Sequence, residues 1–298
     1  MSHPIAALSA AEPVSALLAW SVEPAVTVPA AAAATLYWLG WKTLTRRMPE
    51  RFSALRAIAF MAGLGTVVVA LCSPLDALGH RLLLAHMIQH MLLMLVAPPL
   101  LWAGAPMAPI LLGMPRSVRR AVAMILGAAP IRRLTSFLAH PAVSWLAFVM
   151  AFWVWHVPAL YQLALGEDAW HHVEHLCFFV TALLFWRPVI LAWPARSPWP
   201  RWAMIPYLVL AEVQNAALAA FFTFSDRVIY PGYESTPPLW GLSALEDQSL
   251  AGVIMWVPGS LVFLLPLLWL IITAVLPPGH GRRDRIATAE AQPALRRR

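Results

Sequence analysis

The chain has 298 residues, of which 60% are hydrophobic and only 12% charged, against roughly 25% charged residues in soluble domains. This excludes an ordinary water-soluble fold and makes a lipid bilayer the solvent for the surplus apolar surface. The net charge of +7 does not point to nucleic acid, because the basic residues sit in short connections between apolar runs and read as topology signals.

Residues 1–25 form an N-terminal segment expected on the periplasmic side. No basic run precedes the first apolar stretch, so the first span is expected to serve as its own insertion signal. Seven apolar runs follow, at 26–41, 54–73, 82–102, 142–157, 172–191, 202–224 and 250–276. Most approach the ~20 residues that a bilayer core requires, and the first and fourth are expected to extend by a turn. The stretch 106–114 is too short to cross and is expected to lie along the interface. The last segment, 277–298, is polar, basic and expected to be disordered in the cytoplasm.

Charge alternates along these connections. Lys42, Arg46, Arg47 and Arg51 follow the first run. Arg116, Arg119, Arg120, Arg132 and Arg133 follow the third, and Arg187, Arg196 and Arg201 surround the fifth connection. The intervening connections are poor in Lys and Arg. The positive-inside rule then gives an all-α membrane protein, a seven-transmembrane-helix bundle over 26–276 with its N-terminus outside and its C-terminus cytoplasmic.

This topology assigns a depth to each histidine. His86 and His90 lie at i and i+4 near the outer start of the third span, so they share a face. His156 ends the fourth span. His171, His172 and His175 open the fifth, and His80 lies in the short connection above. Polar groups at membrane depth are costly and face the bundle interior or a cavity. Several at one level on three helices point to a shared purpose, and imidazole is the commonest metal-ligating side chain. Met87, Met91 and Met94 continue the stripe, and Met255 has a similar depth. Thioether sulfur is soft and favours Cu(I), which imidazole also suits.

Other polar residues accompany the cluster. Glu174 either orients an imidazole or is an exposed residue of the first helical turn. Cys72 and Cys177 read as small hydrophobes, with a thiol ligand or a disulfide between them as alternatives. Glu212 and Asn215, mid-span, fit either a structural hydrogen bond or an ion path. Asp247 and Gln248 are expected to cap the start of the seventh span.

Four stretches resemble the CtaG family of cytochrome c oxidase assembly factors, associated with caa-type oxidases. They are Ser73-Pro74-Leu75-Asp76; His86-Met87-Ile88-Gln89-His90-Met91 with Ala97-Pro98-Pro99-Leu100-Leu101 and Gly104-Ala105-Pro106; Trp155-His156-Val157-Pro158-Ala159-Leu160-Tyr161, running on to His172, Glu174-His175 and Phe185-Trp186; and Asp247-Gln248-x-x-x-Gly252-x-x-Met255-Trp256. The resemblance implies a multi-pass protein of the bacterial plasma (inner) membrane. It implies a non-enzymatic role in maturing a haem–copper oxidase by handling copper, with oxidase subunits or a periplasmic copper carrier as partners. The expected metal residues are His86, His90, His156, His172, His175, Met87, Met91 and Met255. Asp76, Glu174, Cys177, Glu212, Asn215 and Asp247 are expected around them or along a path to them. From the residues alone, a bis-histidine haem protein fits the same imidazoles. So does a zinc intramembrane hydrolase with Glu174 or Asp76 as base, and a transporter coupled through Glu212 is a further alternative.

Overall fold

The computed structural model describes residues 20–191, 199–235 and 240–275. The expected tail at 277–298, most of the N-terminal segment and Arg196 lie outside the described residues. Among the described residues all regular structure is helical. Helix α1 (Pro24–Arg47) runs past both ends of the apolar stretch, starting on a proline that suits a first helical turn. Helix α2 (Ala54–Cys72) leads into a short α3 (Pro74–Gly79), whose start is capped by the Ser73 hydroxyl accepting from the Leu75 N–H at 3.2 Å.

The third span is composite. Helix α4 (Leu83–Met91) passes into a π-helical segment (Leu92–Val96) and then into α5 (Ala97–Ala103). Pro98 causes part of this, because it has no N–H to offer the carbonyl four residues earlier, that of Met94. The Trp186 indole supplies the missing donor, reaching the Met94 carbonyl at 2.9 Å. A buried Trp thus re-satisfies backbone freed within a span. The widened turn begins two residues after His90, and π-helical turns are frequent at functional sites.

Helix α6 (Met107–Gly113) packs against α1 through two glycines. A Cβ on Gly40 would stand 1.9 Å from the Pro109 carbonyl oxygen, and one on Gly113 would stand 1.9 Å from that of Leu36. Only backbone without a side chain permits so close an approach. The arginine-rich connection expected as a loop is instead two amphipathic helices, α7 (Arg116–Gly127) and α8 (Ala129–Leu138). They meet at a 74° bend and bury no residue. Their arginines recur at helical spacing, which leaves the opposite faces apolar.

Helix α9 (Pro141–Trp155) stops just before His156 without the expected extra turn, and α10 (Pro158–Gly166) turns away from it by 75°. Helices α11 (Asp168–Ile190), α12 (Met204–Phe224) and α13 (Ala244–Val275) complete the bundle. Among the described residues, five helical segments are long and apolar enough to cross a membrane, and up to seven if each bent pair forms one span. Helix α1 has the length, at 24 residues, but is not among the five. The main core lies between α4, α9, α11, α12 and α13, with Phe148, Phe185 and Tyr207 stacked in series.

Three connections meet at one end of the bundle. The Tyr233 hydroxyl donates to the Gly79 carbonyl at 2.9 Å, and the Tyr230 hydroxyl to that of His156 at 3.0 Å. The segments after α2, α9 and α12 are thereby tied together above the histidines.

Candidate metal centre

Helix α4 offers His86 and His90 on one face, their ring centroids 4.2 Å apart. Helix α11 offers His171, Glu174 and His175, which the i, i+3, i+4 spacing also places on one face. All five are buried. His171 and His175 stand 4.2 Å apart, His86 and His171 5.2 Å, and His90 and His175 5.3 Å. His80 joins from the connection above, 4.9 Å from His171. Ligand atoms of His86, His171, Glu174 and His175 all lie within 4.8 Å of one another.

Glu174 is the centre of this arrangement, neither exposed nor peripheral. Its side chain is fully buried, with one oxygen 3.6 Å from His86 Nε2 and the other 3.8 Å from His90 Nε2. These separations are too long for hydrogen bonds. Both carboxylate oxygens and the Nε2 atoms of His86, His90, His171 and His175 lack partners. Buried polar groups are normally satisfied, so this many orphaned atoms in one place fit a cation that accepts lone pairs from His86, His171, Glu174 and His175.

The expected residues divide. His86, His90 and His175 converge, and His156 stands at the edge, 6.4 Å from His90. His172 is exposed on the opposite side of α11, with Nδ1 donating to the Asp168 carbonyl at 2.6 Å. His171 takes the inward position instead. Met87, Met91 and Met255 line a separate cavity with His90 and His156. Cys72 and Cys177 are free thiols, and neither belongs to the group of four.

The surrounding polar residues hold the helices in place. The Asp76 carboxylate accepts from Gln89 Nε2 at 2.7 Å, and the same amide donates to the Ala70 carbonyl at 2.9 Å, fixing α4 against α2 and α3. Glu212 accepts a hydrogen bond from the Ser260 hydroxyl, and Asn215 donates to the Met255 carbonyl at 3.2 Å. Both therefore join α12 to α13 by structural hydrogen bonds. Gln248 holds the connection before α13, accepting from the Ile229 N–H at 2.7 Å. Tyr161 stacks on Tyr230 at 3.8 Å and donates to the Tyr233 hydroxyl at 2.8 Å, forming a roof 5.2 Å from His86. Burial pushes the Tyr230 and Tyr233 phenols above their ordinary range, so both remain protonated donors.

Asp247 corrects the local reading. It does not cap its own helix. Its two oxygens accept from the Leu83 and Leu84 N–H groups at 2.6 and 3.0 Å, so it caps α4, 164 residues away in the first case. Helix α13 is capped by Ser243 and Glu246, whose side chains bond reciprocally to each other's backbone N–H. Asp247→Ala is expected to destabilise the protein by about 2 kcal/mol, because it removes a cap and leaves two N–H groups unpaired. Ser243→Ala, at an exposed cap, is expected to cost about 1 kcal/mol or less. Thermal unfolding of both variants in detergent tests that order.

A family model, described as cytochrome c oxidase caa3 assembly factor, matches residues 35–275. Proteins of Mycobacterium bovis and Mycobacterium tuberculosis, each described as uncharacterized, are 27% identical over 283 residues, covering 90% of this chain and 40% of theirs. A Mycobacterium leprae protein is 23% identical over 259 residues, 82% of this chain and 37% of its own. The chain thus spans about 40% of the length of the curated relatives it matches most fully. No solved structure matches it. With the family model covering α2 to α13 and most of α1, the chain belongs to the cytochrome c oxidase caa3 assembly factor family.

Proposed function

We propose that the protein holds copper, as Cu(I), at the imidazole–carboxylate cluster and hands it on during maturation of a haem–copper oxidase. The observation that carries this reading is the convergence of Glu174 with His86, His171 and His175, all buried and all with unpartnered ligand atoms. Neutral imidazole suits copper, and one carboxylate offsets the charge of one monovalent ion. Copper is cargo here and no bond is made or broken in a substrate, so the role is that of a metal carrier and not an enzyme.

The arginine distribution supports an orientation with the histidine end outside the cytoplasm, because Arg-rich connections lie at the opposite ends of the helices. In that orientation the receiving partner is an oxidase subunit or a soluble carrier on the periplasmic face of the plasma membrane. The cluster lies one to two turns below the start of α4, close enough to the bundle end for exchange.

The test is metal analysis of detergent-purified protein by mass spectrometry after anaerobic Cu(I) loading, with an absorption spectrum of the same sample. Copper at the cluster that is lost in His86→Ala/His175→Ala is expected. A Soret band would replace copper with haem, and zinc retained in preference to copper would favour a zinc site.

A further inference from the structure

The buried imidazoles fall into two groups according to their neighbours. His86, His171 and His175 stand with the Glu174 carboxylate. His90 and His156 line a cavity of about 20 Å³, one water molecule in size, whose other walls include the thioethers of Met87, Met91, Met94 and Met255. The two sets share no residue. The cavity lies deeper than the cluster, level with the second turn of α4 and the π-helical segment that follows.

This lining is unusual for simple packing. The His156 Nδ1 is 2.6 Å from the Phe152 carbonyl. A carbonyl only accepts, so Nδ1 carries the proton and a neutral ring keeps a bare lone pair on Nε2. That atom is buried and unpartnered, and so are both ring nitrogens of His90. Thioethers cannot satisfy the bare ring nitrogens, since sulfur there is a weak acceptor and no donor. A soft cation would satisfy the imidazole lone pairs and the thioethers together. Behind the wall, a Cβ on Gly259 would stand 3.2 Å from Asn215 Nδ2 and 3.8 Å from the Met91 methyl.

We propose that this cavity is a second metal station, selective for a soft monovalent ion of the Cu(I) class, held by His90 and His156 with thioether sulfur from Met91 and Met255. The proposal rests on the copper reading above for the identity of the ion. His90 connects the stations, with its ring 5.3 Å from His175 and 6.4 Å from His156. An ion can therefore move between them by exchanging ligands around one imidazole. It remains monovalent throughout, so the transfer needs no reductant.

The experiment uses full-length protein with selenomethionine in place of methionine, loaded anaerobically with Cu(I). Stoichiometry is read by competition with a chromophoric chelator, and ligation by X-ray absorption at the copper edge. About two ions per chain are expected, with copper–selenium scattering from one of them. Met91→Leu/Met255→Leu conserves volume, so the fold should persist. It is expected to bind about one ion and to lose most of the selenium signal, while Glu174→Gln loses the other ion and raises the selenium signal per copper. A single copper with nitrogen and oxygen ligands only would overturn the second station and leave the first standing. Unchanged stoichiometry and selenium scattering in the Met double variant would overturn it as well. A protein that binds no Cu(I) at all would overturn both readings.

Discussion

His171→Ala is expected to lower copper affinity by about 100-fold, ~2.8 kcal/mol, while His172→Ala changes it by about twofold or less, as for a surface side chain. The two residues are neighbours in sequence, but successive side chains on a helix point about 100° apart. Helix α11 turns His171, Glu174, His175, Phe178 and Ala182 inward. His172 faces away and is already bonded to the carbonyl of its own helix. Removing it deletes an exposed group. Removing His171 takes a ligand atom out of the group of four. Cu(I) competition titrations on both variants, purified at matched yield, measure the contrast. Equal losses in the two would mean that the inward face of α11 is not the binding face.

That contrast also marks what the sequence made legible. The i, i+4 pair on α4 was readable because both residues are polar in an apolar run. Topology led to the expectation that the ends of three spans meet, and the rings of His90, His156 and His175 do come together from α4, the end of α9 and α11. Which of His171 and His172 points inward was not readable from hydrophobic periodicity. In a soluble helix hydrophobic periodicity identifies the buried face. In a span the lipid face is as apolar as the core face, and on α11 Val173 and Leu176 are exposed while Phe178 is buried. The i, i+4 relation of His171 to His175 was the available signal, and the motif resemblance drew attention to His172 instead.

Asp247 was misread for a different reason. A local reading assigns a carboxylate at a helix start to that helix, yet its partners lie on α4. The Ser243-x-x-Glu246 spacing was the legible sign that α13 already had its cap. The helices α7 and α8 were missed because their arginines were read for topology alone, although Arg116, Arg119 and Arg120 recur at helical intervals.

Glu174→Gln should separate binding from folding most sharply. The substitution preserves shape and removes charge. In the metal-free protein the carboxylate is buried with neither oxygen hydrogen-bonded, an arrangement that contributes nothing to stability and commonly costs some. The variant is therefore expected to unfold at the same temperature as the parent or slightly higher in the absence of metal. With copper the sign reverses. Opposite unit charges about 4 Å apart interact by ~4 kcal/mol at an effective dielectric near 20, so losing the carboxylate is expected to weaken binding by about 100-fold or more. The copper-induced rise in unfolding temperature should shrink with it, to what the ion held by His90 and His156 still contributes. Glu174→Asp restores the charge but is one methylene too short to reach both imidazoles of α4, and should fall between the two. A variant that loses metal-free stability instead would make Glu174 a structural residue. One that binds copper as the parent does would leave the imidazoles to hold the ion without it.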